Sequence, residues 1–341
     1  MKLGIVVDVK SQFVNDLLSD WRSRYRTDVF SFREIQLPFS QGRVNQWLLN
    51  RSLRDFLASH DLNFFEWAGP LLIAASRLGV PRPLVVRLHS YELFEYAPHI
   101  NWGAVTKVIL VSEAMRQRFV ALYPDCAGKA EVIPNGVQLD RFKPANREFA
   151  NNLGMLCELT PIKRVYETIL TVQDLRKQGH CFRLHLAGEP PKGATNARYY
   201  AAMQSAVAKL DLGTQVIFYG QVQDAERWLR KIDVFVSNSF WEGHQVALIE
   251  AMASGCYCLS HFWDGVEEVL PSEYIHATDS ELQQNLVRYS EMTESEKHRH
   301  HARMRKIAED EFDLRTSSAR FCSLFSSMVS GRRASLSEPE A

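Results

Sequence analysis

Short runs of apolar and β-branched residues alternate with stretches of helical periodicity along nearly the whole chain, in two successive series. Few folds accept that order. A strand that is apolar along its length must be covered on both faces, and a helix after each strand supplies the cover. In the first series "LGIVVDV" (3–9), "LNFFEWA" (62–68), "LVVRLHS" (84–90) and "KVILVSE" (107–113) read as buried strands. Between them "NDLLSDWRSRY", "VNQWLLNRSLRDFLASH" and "GPLLIAASRLGV" read as helices. The alternation predicts a doubly wound α/β sheet, which binds ligands outside the carboxyl ends of its strands.

A second series starts near residue 153 with "LGMLCEL", "FRLHLAGE", "QVIFYGQV", "DVFVSNSF" and "CYCLSHF". Its helices "VYETILTVQDLRKQGH" and "YYAAMQSAVAKLDLG" are expected to stop at or just before Gly179 and Gly213. At 341 residues the chain exceeds what one core usually serves. The expected division is a Rossmann-like domain over 1–146, a second over 147–310, a helix over 311–330 that can return to the first domain, and a disordered polar tail over 331–341. Two such domains facing each other make a cleft. In the crossing "VIPNGVQLDRFKP", Asn135-Gly136 predicts a tight turn with positive φ.

Charge narrows the function classes. Forty basic and forty acidic residues give a net charge of zero, which argues against a nucleic-acid binder. The segment 20–54 departs from that balance, with seven arginines against three acids and Trp21, Phe39, Trp47 and Leu48 interleaved. It reads either as a solvated helix face or as a surface for anionic lipid. The six cysteines have neither disulfide nor zinc spacing, and Cys256 and Cys258 read as buried strand residues. No window reaches the ~18 apolar residues of a membrane span, and "MKLGIVVDVK" is too short and too polar for a signal peptide. A cytoplasmic protein, with peripheral membrane contact through 20–54, is expected.

The segment "SFWEGHQVALIEAMASGCYCLS" (239–260) holds two acids, Glu242 and Glu250, on either side of a helix start. The loop follows a strand, so it lies where ligands bind, with the helix's leading amides behind it. Those amides favour an anion such as a diphosphate. Gly243 removes a side chain where a ligand approaches the backbone. Acids beside a bound anion should grip neutral groups, namely hydroxyls. An N-cap acid plus a salt-bridged helix acid is the plainer explanation of the same spacing.

"SFWEGHQVALIEAMASG" is similar to the E-x7-E segment of the family-4 retaining glycosyltransferases, which have the GT-B fold. "VILVSEAMRQRF", "EVIPNGVQLDRFKP", "RLHLAGE" and "VIFYGQV" resemble that family's segments, in the same order. The resemblance covers roughly residues 60–275. It implies two Rossmann-like domains across a cleft, with the nucleotide-sugar donor on the carboxy-terminal one and a glycan or lipid-linked acceptor on the other. It also implies transfer with retention, no metal and no cofactor besides the donor, in bacterial polysaccharide or glycoconjugate synthesis.

By the same resemblance, Glu242 binds donor-sugar hydroxyls, Glu250 binds the ribose, and the backbone around Gly243, His244 and Gln245 meets the diphosphate. His89 faces the donor sugar, and Lys163 pairs with the leaving diphosphate, with Arg164 beside it. A fixed cation there lowers the barrier, because breaking the glycosidic bond moves charge onto the diphosphate. Glu66 and Trp67 read as acceptor contacts or as core. Four positions depart from the pattern. Glu158 stands where an arginine is usual, the first strand lacks a glycine-rich loop, His244 replaces a phenylalanine, and Gln138 replaces an aspartate. Glu158 leaves open a catalytically silent binding relative. A sugar-nucleotide epimerase is the rival enzyme class.

Overall fold

The apolar runs of each series become parallel strands of one sheet. A computed structural model describes residues 1–8, 12–32, 41–145 and 149–337. Phe39, the expected 146/147 boundary and residues 338–341 of the expected tail lie outside the described residues. The chain divides into two units, Met1–Asn135 with Leu314–Ala341, and Gly136–Asp313.

The first unit runs β1 (Lys2–Val7), α1 (Gln12–Arg24), β2 (Arg26–Val29), α2 (Gln41–Ala58), β3 (Leu62–Glu66), α3 (Pro70–Ala75), β4 (Leu84–Leu88), α4 (Glu92–Glu95), β5 (Lys107–Leu110), α5 (Glu113–Leu122) and β6 (Ala130–Val132). All strands pair in parallel, in the order β2-β1-β3-β4-β5-β6. β3 and β4 are buried at every position, as coverage on both faces requires. β2 escapes the sequence reading because it is a mostly exposed edge strand, "RTDV", which needs no apolar run. The strand order reverses between β1 and β3, and Asp8 and Trp67 follow their carboxyl ends.

The second unit runs β7 (Asn152–Leu156), α6 (Val165–Lys177), β8 (Arg183–Ala187), α7 (Ala194–Lys209), β9 (Val216–Gly220), α8 (Ala225–Leu229), β10 (Val234–Ser237), α9 (Val246–Ala253), β11 (Tyr257–His261), β12 (Ile275–His276), α10 (Asp279–Glu291) and α11 (Glu294–Glu311). Its parallel order is β12-β11-β10-β7-β8-β9. The reversal falls between β7 and β10. Cys256 and Cys258 are fully buried, at and next to the start of β11, as expected.

Three local expectations change. α6 does stop just before Gly179, at Lys177, and Gly179 has φ 90°, but α7 stops at Lys209 and Asp211 rather than Gly213 takes the left-handed turn, with φ 53°. Gly136 does not take positive φ. The crossing is fixed instead by Val137, whose N–H donates to the Phe312 carbonyl at 2.9 Å. The closing helix α12 (Leu314–Ser337) continues seven residues past the expected end at 330. Arg332, Arg333, Ala334 and Leu336 are good helix formers, and no proline intervenes before Pro339.

α12 belongs to the first unit. Phe321 and Phe325 meet Trp21 edge-on with centroids 5.5 and 5.3 Å away, and Phe64 at 5.6 and 5.8 Å. Edge-to-face aromatic contacts of this kind add to the burial that holds the helix.

Candidate functional site

In the second unit the two strands at the reversal each end in a loop, and the loops are tied together. After β7 the chain turns through Pro161–Lys163 before α6 starts. The Phe240 N–H, in the loop after β10, donates to the Ile162 carbonyl at 3.1 Å. Gly188, after β8, allows the approach of the β7 loop, because a Cβ there would lie 1.8 Å from the Cys157 carbonyl oxygen.

That arrangement brings Lys163 and Glu242 into an ion pair, with Nζ donating to Oε1 at 2.5 Å. Burial opposes the lysine's charge. The Glu242 carboxylate outweighs it, with help from Cys157 and Glu158, and the Lys163 pKa is raised above its ordinary value. Glu158 itself is exposed.

Arg164 has φ 50°, a left-handed conformation rare for a residue with a side chain. Its Nη2 donates to both Asp279 carboxylate oxygens, at 2.8 and 3.0 Å, and its Nη1 donates to Asn238 Oδ1 at 3.3 Å. Asn238 is fully buried, and its Nδ2 donates to Thr168 Oγ1 at 3.0 Å. His276 reaches Asn238 Oδ1 through Nε2 at 3.2 Å, which makes that nitrogen the protonated one. Burial, then His261 and Arg164, push the His276 pKa down to about 3, so its ring is neutral. Asn238, His276 and Asp279 were not singled out in the sequence. The only local signal was "TDSE" (278–281), whose Thr278 and Glu281 form a capping box that starts α10 beside Asp279.

α9 begins at Val246 with no side-chain cap from Gln245, so its leading amides lie beside the loop that carries Glu242. Glu250 sits in the middle of α9 on the half-buried face shared with Val246 and Ala247. Gly243, His244 and Gln245 are all buried. The His244 ring packs edge-on against Phe312 at 5.4 Å, filling an aromatic position.

The first unit holds His89, in a separate network. Glu66, at the end of β3, has no solvent exposure. Arg87 grips it from β4 with contacts of 2.8 to 3.1 Å, and His89 Nε2 lies 2.6 Å from its Oε1. Burial raises the Glu66 pKa, but Arg87 and His89 outweigh it, and the carboxyl is held below its ordinary range. The His89 ring also lies 4.2 Å from Trp67, whose φ is 84°. Asn135 accepts from Arg87 at 3.4 Å. At the strand-order reversal, Asp8 accepts from the Leu71 N–H at 2.9 and 3.2 Å, and burial pushes its pKa up to about 6.

The structure therefore places Lys163, Arg164, Glu242, Gly243, His244 and Gln245 in the segments that follow the carboxyl ends of β7 and β10, with Glu250 more than a turn into α9. His89 stands in the other unit. Among the described residues no group of three His, Cys, Asp or Glu is placed to hold a metal, and no helix is long and apolar enough to cross a membrane.

Comparison with known proteins follows the same two-part division. Residues 2–141 match the family model described as glycosyltransferase family 4, and residues 150–288 match glycosyl transferases group 1. EpsF of Bacillus subtilis (strain 168), which carries a glycosyltransferase name, is 27% identical over 277 residues, 69% of each chain. Among solved structures, Anabaena Alr3699/HepE in complex with UDP and glucose superposes with a TM-score of 0.80 at 18% identity, covering 95% of this chain and 99% of that one. Sucrose-phosphate synthase from Thermosynechococcus elongatus gives 0.79 at 14% identity, covering 97% and 100%. These structural likenesses establish the GT-B fold.

Proposed function

The chain belongs to the group 1 and family 4 glycosyltransferases, and from that premise we propose that it moves a sugar from a nucleoside diphosphate donor to an acceptor hydroxyl, with retention at the anomeric carbon. The observation that carries this reading is the Lys163–Glu242 pair, set where the strand order reverses and beside the uncapped start of α9. A donor exchanges that pair. Its diphosphate takes Lys163 and the α9 amides, and its sugar hydroxyls take Glu242, while Glu250 takes the ribose. The acceptor is a glycan or a lipid-linked sugar.

As the glycosidic bond breaks, negative charge grows on the leaving diphosphate, and Lys163 is the cation in place to stabilise it. The route is front-face: the departing phosphate oxygen accepts the proton of the attacking hydroxyl, and the protein contributes position and charge. Arg164 acts indirectly. Its guanidinium is committed to Asp279 and Asn238, so it fixes the turn that aims Lys163. His89, with Nε2 held by Glu66, presents its ring in a set orientation on the acceptor-binding unit. Polysaccharide assembly in bacteria is the proposed context.

HepE was crystallised with UDP and glucose, so UDP-glucose is the first donor to test. In a panel of nucleotide sugars, one should raise the melting temperature and be consumed when an acceptor is present. Lys163→Ala should lower transfer roughly 100- to 1000-fold and weaken binding of the nucleoside diphosphate. Unchanged diphosphate affinity in that variant would remove Lys163 from the site. Binding without turnover across the panel would favour the silent relative to which Glu158 points.

A further inference from the structure

Asp8 is a half-buried carboxylate that the proposed transfer leaves unused, and it stands beside a strained aromatic segment. Trp67 follows β3 with φ 84°, a costly conformation for so bulky a side chain. Gly69 lets that segment close on Asp8, because a Cβ there would lie 2.6 Å from the carboxylate Oδ2. The turn sets the Trp67 ring 4.2 Å from His89 and 5.6 Å from Tyr91, and Tyr96 lies 6.2 Å from Tyr91. Trp67 is 7% exposed and Tyr91 38%, so the stack starts in the core and ends at the surface. The group of Trp21, Phe64, Phe321 and Phe325, by contrast, is closed inside its core.

The charges around this stack have one sign. Glu92 is fully buried, and its carboxylate accepts from the His89 and Ser90 amides at 3.1 and 2.8 Å, while Glu95 is exposed. Segments 67–71 and 89–97 contain no lysine or arginine. Burial first, then Glu92, Tyr96, Glu95 and Asp8, raise the Tyr91 pKa, so its phenol keeps its proton. Asp8 is also among the lesser causes that raise the Tyr96 pKa, behind a hydrogen bond to Glu95. A carboxylate has about four acceptor sites, so Asp8 keeps capacity beyond the Leu71, Gly69 and Leu72 amides. An exposed ring beside a hydroxyl acceptor suits a sugar, whose ring face is C–H and whose rim is hydroxyl. A phosphate or carboxylate would instead meet Asp8 and Glu95, with no cation in either segment to offset them.

We propose that the exposed Tyr91 ring, with Asp8 beside it, is the subsite for the acceptor's reacting sugar, and that this sugar is uncharged. Its C–H face lies on the Tyr91 ring, which is electron-rich at its face and backed by Trp67, and a hydroxyl donates to Asp8. Calling this sugar the acceptor rests on the transferase reading; the preference for an uncharged ring rests on Asp8, Tyr91 and Glu95. Trp67 is then the support behind the contact, and Glu66 belongs to the core. The same charges reject sugar phosphates, so the chain extends a glycan at an uncharged unit.

Saturation-transfer NMR on the full chain, with no donor present, tests the subsite. The probes are the methyl glycosides of glucose, galactose and N-acetylglucosamine, each against its own 6-phosphate. At least one glycoside should bind, with its ring C–H protons taking the saturation. Its 6-phosphate should bind roughly tenfold more weakly, because like charges meet at close range. Tyr91→Ala should weaken the glycoside roughly tenfold with the melting temperature unchanged, and Tyr91→Phe should keep it bound. Asp8→Asn should narrow the gap between glycoside and phosphate severalfold, whereas a merely structural Asp8 would leave the gap unmoved. No binding by any glycoside, equal or tighter binding of the 6-phosphates, or indifference to Tyr91→Ala overturns the proposal. Donor consumption is followed separately. Glycoside binding at Tyr91 without any donor consumption sinks the transferase reading alone, and transfer to a 6-phosphate in preference to its glycoside sinks this subsite alone.

Discussion

Each unit places a carboxylate–cation pair at the carboxyl ends of parallel strands, and the two pairs differ in how far they can change partners. Glu66 and Arg87 are 0% and 3% exposed at their side chains, and His89 completes the carboxylate's contacts. Lys163 and Glu242 are 19% and 12% exposed and form a single contact at 2.5 Å. Taking two charges out of water is repaid only while they stay together. Glu66 therefore cannot let go of Arg87 without leaving a buried guanidinium uncompensated. Glu242 can let go of Lys163 when hydroxyls and a diphosphate arrive together, because each charge then finds a new partner. The first pair belongs to the frame that orients His89, and the second is a contact made to be exchanged.

The largest expected effect tests that difference directly. Glu66→Ala should cost about 3–5 kcal/mol of stability, the usual loss when one partner of a buried pair is removed. Glu242→Ala should cost less, about 1–3 kcal/mol, because the lysine left behind is partly open to water. Chemical denaturation of both variants measures it. Equal losses would erase the distinction between the two pairs.

A smaller effect sharpens the comparison from the ligand side. If Glu242 holds Lys163 away from the diphosphate, then Glu242→Gln should bind the nucleoside diphosphate tighter, roughly tenfold for about 1.4 kcal/mol, while transfer falls. The lost carboxylate no longer repels the anion or competes for the lysine. Calorimetric titration of the product nucleotide into both proteins decides it, and equal or weaker binding in the variant would mean the pair does not compete with ligand.

What the sequence disclosed follows the same line between local and distant causes. The strand–helix alternation was legible because coverage on both faces writes itself into continuous apolar runs such as "LVVRL". β2 and β12 were not, since an exposed edge strand and a two-residue strand leave no such run. Glu242 and Lys163 were each readable by motif, and their meeting depended on parallel strands that lie side by side only after folding. The attachment of Arg164 to Asn238 and Asp279 spans 74 and 115 residues, and no local pattern announces it. His89 and Glu66 were both noticed, but their bond passes between β3 and β4, whose register alone places Arg87 opposite Glu66.

Asp8 supplies a third carboxylate at a strand end and the smallest of these effects. No cation among the described residues holds it. Burial raises its pKa to about 6 even though the Leu71, Gly69 and Leu72 amides pull the other way. Folding thus binds its proton more tightly, so its contribution to stability is complete below about pH 4 and is lost as pH rises through about 6. Glu66, held below its ordinary range, contributes in the opposite sense: its share is present above the ordinary glutamate pKa and lost as pH falls through its lowered one. Asp8→Asn keeps an oxygen for the Leu71 amide and removes the charge. It should therefore match the wild type near pH 4 and exceed it by about 1 kcal/mol near pH 7, below the ceiling that a two-unit shift sets. Urea denaturation across that range gives the difference. Parallel stability curves would show that Asp8 is solvated enough to ionise at no cost, and the contrast with Glu66 would then rest on Arg87 alone.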